Sequence, residues 1–456
     1  MARDQVDLTP IERRDDLVNW LAEGAKAKSQ FRIGTEHEKF AFTLERHRPV
    51  PYAGRRGIRA LLEGMEHLLG WQPIMEEGNV IGLFDVTGGG AISLEPGGQF
   101  ELSGAQLETL HQTSSELMAH LAQVREVALP LHIGFLGIGM TPNWTRAEMP
   151  KMPKGRYKIM TAYMPKVGTL GLDMMYRTCT VQTNLDFASE ADMVKKLRVA
   201  VALQPVATAL FANSPFTEGK PSGFLSFRSE IWRHTDSARA GMLPWVFEPG
   251  MGFERWVDYA LDVPMYFVKH GDSYVDAAGQ SFRDLLVGKL PAMPGVGATI
   301  SDWANHLSTI FPEVRLKRYL EMRGADSGPL PNLLALPALW VGLLYDDDSL
   351  DAGWDLVKHW SADERQKLRD DVPRQALAAT VRGRTVFEIA TDVLKLARAG
   401  LTRRRRLDFC GQDETRYLDV LDDRLARGAT PAQELLAKFD GSWGGSVEPI
   451  YDEQAY

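Results

Sequence analysis

Five stretches of this chain carry charged or amide side chains at every second position, with apolar residues between them. Side chains alternate faces along a β-strand, so each such stretch presents one apolar and one polar face. In Val314–Arg323, Arg315, Lys317, Tyr319, Glu321 and Arg323 share a face, while Val314, Leu316, Leu320 and Met322 share the other. Taken alone, that strand reads as a solvated edge. In the strand Phe31–Leu44, Glu36 and Glu38 point the same way, with Cα atoms roughly 6.5–7 Å apart. Like charges so placed repel unless cations lie between them. A merely solvated acidic pair would put His37 and Lys39 on the buried side, which counts against it. Glu95 precedes the turn at 96–98, and Gln99 and Glu101 follow it on one face. Thr180, Gln182, Asn184 and Asp186 line up opposite Cys179, Val181, Leu185 and Phe187. Phe224–Ile231 reads as extended, with Ser226 and Arg228 together. Five polar faces turned away from a common helical layer make a lined funnel the economical account. The chemistry it suits is phosphoryl transfer, with Mg²⁺ on carboxylates and arginines on phosphoryl oxygens.

The rest of the chain fits an α+β fold with an antiparallel sheet, because its strands gather around long helices without strict alternation. Helices are expected at Pro10–Ala27, with Thr9 as N-cap, and at Arg56–Leu69, Leu107–Ala128 and Ala191–Phe211. Residues 240–300 read as irregular loops over a cleft, and the chain is mainly helical from about 331. No break in composition divides the 456 residues, so 1–456 is taken as one catalytic unit.

Several classes are excluded. Lysine and arginine total 52 against 60 acidic residues, a formal charge of -8, which disfavours nucleic acid and anionic membranes as partners. Two cysteines cannot build a disulfide framework or a four-thiolate zinc site. The N-terminal stretch MARDQVDLTPIERRDD lacks an apolar core and is rich in acid, so a cytoplasmic protein is expected. Leu129–Met140 is too short to span a bilayer, and Leu330–Tyr345 reads as broken by Pro331, Asn332 and Pro337. There is no P-loop, no dinucleotide fingerprint, no HExxH and no GxSxG.

The stretches GTEHEKF (34–40), SLEPGGQFELSGA (93–105), RTCTVQTNLDF (177–187), FANSPFTEGKPSGFLSFRSEIW (211–232), DYALDVPMYF (258–267) and FPEVRLKRYLEMRGAD (311–326) resemble the plant-type glutamate–cysteine ligases of plants and many proteobacteria. That resemblance implies a glutamine-synthetase-like curved antiparallel sheet forming a funnel, backed by helices. It implies ATP-dependent ligation of the γ-carboxylate of L-glutamate to the amine of L-cysteine through γ-glutamyl phosphate. It also implies two or three Mg²⁺ on Glu36, Glu38, Glu95, Glu101 and Glu321, with Gln182 as a further ligand. Arg323 would contact the transferring phosphoryl group, and Arg315 and Lys317 the nucleotide phosphates. Arg228 would take the glutamate α-carboxylate, with Asn184 and Arg233 also on substrate. The expected partners are these small molecules, and a homodimer is compatible with the resemblance. Plant members are regulated by disulfides, but NLLALPALWVGLLYDDD (332–348) has no cysteine where one is expected. The alternatives are another carboxylate–amine ligase, a Mg²⁺-dependent phosphoesterase, or a nucleotide sensor on the same fold.

Overall fold

The structure, a computed structural model, describes residues 6–271 and 273–456. The first five residues of the N-terminal stretch therefore lie outside the described residues. Nine strands form one open antiparallel sheet: β1 (Ile33–Thr43), β2 (Gln72–Glu76), β3 (Asn79–Phe84), β4 (Ala91–Leu94), β5 (Phe100–Ser103), β6 (Ile133–Leu136), β7 (Thr180–Leu185), β8 (Val314–Leu316) and β9 (Leu320–Asp326). The spatial order is β8-β9-β7-β1-β5-β4-β3-β2, with β6 paired to the far half of β1. β1 is central because its first half pairs with both β5 and β7, and only its last residues turn to β6.

The helices that position the site are α1 (Arg14–Ala22), α2 (Ile58–Leu69), α3 (Leu110–Ala128), α4 (Gly155–Val167), α5 (Glu190–Leu210), α6 (Phe227–Trp232), α7 (Ile300–Leu307), α8 (Leu330–Leu344), α9 (Ala362–Gln375) and α10 (Val386–Arg404). α5 starts where Ser189 accepts the Asp192 N–H at 3.2 Å, a side-chain cap for an otherwise unpaired donor. It is buried along most of its length and lies behind β9, where Thr208 donates to the Gly324 carbonyl at 3.0 Å. α8 is apolar on every side and packs against α10. Such a helix belongs in the middle of a layer.

The alternation of faces holds along β1. Glu36 and Glu38 look into a cavity, while His37 and Lys39 are fully buried on the reverse side. The burial of those two, an objection from sequence to a merely solvated acidic pair, is therefore real and does not by itself exclude that reading. Lys39 Nζ reaches His120 Nε2 at 2.9 Å and the Phe100 carbonyl at 3.3 Å. It also lies over the rings of Phe100 and Phe135, at 5.2 and 5.9 Å. Burial pushes its amine down to about 7, so a proton is cheap to lose there.

Four expected elements differ. Val314–Arg323 is a tight hairpin, β8 and β9, turning at 317–319 with the Lys317 N–H donating to the Tyr319 carbonyl at 2.8 Å. Phe224–Ile231 is not extended: α6 begins at Phe227 because Ser226 caps it, accepting from Ser229 N–H at 3.2 Å. Pro10 does not open α1, which starts at Arg14 with Asp16 accepting the N–H groups of Glu12 and Arg13. Residues 7–11 are instead tied to 298–301 by backbone hydrogen bonds. Pro331 does not break α8 but sits in its first turn, where no N–H is needed. Among the described residues no helix is long and apolar enough to cross a membrane.

Candidate active site

Register decides which side chains meet. Across β1 and β5, Glu38 stands opposite Glu101, and across β5 and β4 Glu101 stands opposite Ser93. Across β1 and β7, Glu36 stands opposite Gln182. Across the hairpin, Arg315 stands opposite Glu321, which itself faces Asn184 on β7. Between Met322 and Ala325 the register slips by one residue, so Arg323 and Gly324 together oppose Gln182. A bulge of this kind re-aims a side chain, and Arg323 here donates to the Gln182 amide oxygen at 2.8 Å.

Of these residues Glu36, Glu38, Ser93, Glu101, Gln182, Arg315 and Arg323 line a cavity of about 130 Å³, together with Glu95, Lys154, Tyr157, Trp232, Phe311 and Arg228, while Glu321 lies buried behind its wall. One end is acidic and the other basic. At the basic end Glu321, with none of its side chain exposed, is held by Arg315 at 2.6 Å, Lys317 at 2.9 Å and Arg323. Burial opposes ionisation of Glu321, but the three cations outweigh it and hold the carboxyl well below its usual range. At the acidic end, cations are scarce. Burial, with Glu95 and Glu101 nearby, pushes Glu38 well above the usual range. Burial and then Glu321 also raise Glu36. Neutral donors reach this end: Thr180 N–H to Glu38 at 2.9 Å, Asn184 amide to Glu36 at 2.7 Å, Tyr157 hydroxyl to Glu95 at 3.1 Å, and Ser93 hydroxyl to Glu101.

Such a set is short of positive charge and offers only oxygen donors, the environment of a hard divalent cation. Among the described residues no three carboxylate, imidazole or thiol groups converge on one point.

A second cavity, of about 570 Å³, opens beside the first and shares Glu36, Asn305 and Lys317 with it. Its walls include Trp20, Gly34, Gly104, Asn184, Arg318 and Tyr319. Asn184 thus belongs to this larger space, with its amide oxygen buried and unpartnered.

Arg228 enters from α6, outside the sheet. It is 3% exposed, its NH2 donates to the Arg323 carbonyl at 3.0 Å, and its Nε and NH1 have no partner. Arg233, expected on substrate, does not join the site. It follows α6 at the surface and pairs with Glu230 at 2.7 Å and Asp370 at 2.8 Å. The helix, absent from the sequence reading, turns residue 233 away from the face that carries Arg228. Lys154 and Tyr157 were missed altogether. The run PKGRYK (153–158), basic and aromatic at the start of a helix, was the available signal. Both cysteines are free thiols: Cys179 is buried, its thiol pushed well above the usual range by burial, and Cys410 is exposed.

Comparison with known proteins gives a consistent answer. Residues 32–453 match the family described as glutamate-cysteine ligase family 2. The chain is 57% identical over 443 residues to a chloroplastic glutamate–cysteine ligase of Arabidopsis thaliana, covering 97% of this chain and 83% of that one. It is 54% identical over 451 residues to the chloroplastic glutamate–cysteine ligase B of Oryza sativa subsp. japonica, covering 99% and 89%. Among solved structures, the glutamate–cysteine ligase of Francisella tularensis in complex with AMP superposes with a TM-score of 0.54 at 12% identity, covering 93% of this chain and 87% of that one. At that identity the likeness speaks for the fold. The cytoplasmic expectation is corrected by these relatives, which are chloroplastic proteins.

Proposed function

This chain belongs to glutamate-cysteine ligase family 2, and from that premise we propose that it joins the γ-carboxylate of L-glutamate to the amine of L-cysteine. A γ-carboxylate oxygen attacks the γ-phosphorus of ATP, and ADP leaves. The cysteine nitrogen then attacks the acyl carbon, phosphate departs with the acyl oxygen, and the nitrogen loses a proton. The observation that carries this reading is the division of one cavity into a cation-poor carboxylate end and a cation-rich end.

A carboxylate approaching a polyphosphate meets strong repulsion, so the site must supply positive charge where the oxygens meet. Glu36, Glu38, Glu95 and Glu101 would hold Mg²⁺, which would neutralise phosphate oxygens and fix their geometry. Arg323 is aimed into the cavity by the bulge and would face the transferring phosphoryl group. Arg315 and Lys317 are bound to Glu321 and help set the positive field. Lys317 also lines the larger cavity, whose size suits the nucleoside part of ATP. Arg228 would take the α-carboxylate of glutamate as a two-pronged donor. Gln182 has its amide oxygen occupied by Arg323, so its contribution is to hold that arginine. Glu321 is the centre of the basic end, and a cation there would have to share it with three side chains.

The test is ADP release in the presence of Mg²⁺, ATP and L-glutamate, with L-cysteine and other amino acids added one at a time. Turnover stimulated by cysteine above every other acceptor supports the assignment. Equal stimulation by all acceptors, or ADP release that does not need glutamate, refutes it.

A further inference from the structure

Asp326 is the last residue of β9, where it faces Thr180 of β7, and it is fully buried. Its two oxygens accept three hydrogen bonds. Oδ2 takes the Asn213 N–H at 2.8 Å and the Ser214 hydroxyl at 2.6 Å, and Oδ1 takes the Ser226 hydroxyl at 2.9 Å. Each serine in turn accepts from α6: Ser214 Oγ from the Arg228 N–H at 3.1 Å, and Ser226 Oγ from the Ser229 N–H at 3.2 Å. The Ser214 carbonyl also accepts the Phe227 N–H, at 3.0 Å. One carboxylate thus stands behind both hydroxyls that receive the first turn of the helix carrying Arg228.

An ionised carboxylate only accepts, so both serines must donate to it, and their lone pairs are left for α6. A neutral amide of the same shape presents N–H donors on one side. The serine facing that side would have to turn its hydrogen toward the backbone N–H it now receives. The charge acts on Arg228 as well. Burial pulls the Arg228 guanidinium down, and Asp326 leads the carboxylates that counter it, ahead of Glu38 and Glu313. Space for the carboxylate is reserved by the run GIGM (137–140), because a Cβ on Gly139 would lie 2.5 Å from the Asp326 Cγ.

We propose that Asp326 is a positioning residue for Arg228, fixing through the hydroxyls of Ser214 and Ser226 where that guanidinium meets the amino-acid substrate. Asp326 does not line the cavity and acts only through α6. The proposal rests on the ligase reading above and adds to it the group that sets the arginine. An Asp326 that merely held the fold together would behave differently, since its loss would reduce the amount of active enzyme and scale kcat while leaving each KM in place.

The test uses Asp326→Asn, which keeps the shape and removes the charge, and Ser226→Ala, a milder change that removes one of the two arms. Steady-state ADP release is measured at varied L-glutamate and at varied ATP. The expected result is a glutamate KM raised about tenfold in Asp326→Asn and about threefold in Ser226→Ala, the scale of one charged and one neutral hydrogen bond. The KM for ATP should not move, and kcat should fall by less than the glutamate KM rises. In an Arg228→Lys background, adding Asp326→Asn should change the glutamate KM by less than about twofold, because the group it acts through is already gone. A glutamate KM unchanged in both single variants, an equal rise in the KM for ATP, or effects that multiply in the double variant would each overturn the proposal. Failure of the ligase reading is distinct, since wild type would then release no ADP in response to glutamate. Cooperative unfolding of each variant confirms that folded enzyme is being assayed.

Discussion

Glu38 and Glu101 stand directly opposite each other on adjacent antiparallel strands, and among the described residues burial and the neighbouring carboxylates outweigh the pull of Arg228 on Glu38. Like charges in that arrangement destabilise a sheet. Their persistence on the floor of a cavity makes the metal-free protein pay in stability for a surface that a divalent cation would relieve.

Glu38→Gln should therefore raise the thermal midpoint of the protein in chelator, by an amount corresponding to about 1 kcal/mol. The same change should lower turnover by at least about a hundredfold, since a ligand for the cation is lost. Calorimetry in chelator and an ADP-release assay decide it. A lower midpoint in chelator would show that the pair is not strained.

Glu321→Gln should behave in the opposite sense. From sequence, this substitution is expected to abolish turnover and leave the fold intact. The structure alters the second half of that expectation, because Glu321 is the buried counterion of Arg315, Lys317 and Arg323. Removing the charge leaves three cations facing each other, a loss on the order of 3 kcal/mol. Chemical denaturation should show a clear drop in midpoint, and a variant as stable as wild type would contradict the assignment of Glu321 as counterion.

Binding of Mg²⁺ should release protons. Glu38 and Glu36 are shifted upward, so part of the population is protonated in the metal-free protein at mildly acidic pH. A cation must displace those protons, and apparent affinity should rise with pH. Titration calorimetry in buffers of different ionisation enthalpy measures the release directly. Heats independent of buffer at pH values just above the ordinary carboxylate range, about 4, would be the wrong outcome.

Glu116 gives a pH effect away from the site. One of its oxygens accepts the Ala105 N–H at 2.7 Å while the other is buried without a partner. Burial raises its carboxyl to about 7, with Asp85 adding to the shift. A group raised in the folded state favours folding fully below its unfolded value, near 4.5, and loses that contribution as pH climbs through 7. The stability of wild type relative to Glu116→Gln should fall by on the order of 2 kcal/mol between pH 4.5 and 8. Parallel denaturation curves for the two proteins across that range would refute it.

What was legible in the sequence follows from which forces set it. Alternation along β1, β5 and β7 is local, a property of the strand itself, and it put Glu36, Glu38, Glu101 and Gln182 on one face correctly. Partner strands were invisible, because register depends on residues far apart in the chain. Nothing in the sequence says that Glu38 meets Glu101 and not Ser103. The hairpin at 317–319 was hidden because its turn has neither glycine nor proline, so Val314–Arg323 looked continuous. Arg228 was picked out on a stretch read as extended and was given its substrate role by the resemblance, whereas the residue lies on a helix. α6 depends on Ser226, whose hydroxyl is also held by Asp326 at 2.9 Å, a contact across 100 residues. Lys154 reaches the cavity by donating to the Leu94 carbonyl at 2.7 Å, which also depends on tertiary packing.

The short helix α6 has a consequence for how such an enzyme could change. The carboxylates that would hold cations are fixed to the sheet, whereas Arg228 and Trp232 are carried by a separate six-residue helix anchored to α9 and the 311–313 segment. On the proposed reading, activation of phosphate and selection of the molecule to be joined would be carried by different pieces of the chain. Exchanging one piece can retune substrate choice while the other keeps its geometry, so the scaffold lends itself to new acceptors or donors without rebuilding its reactive core.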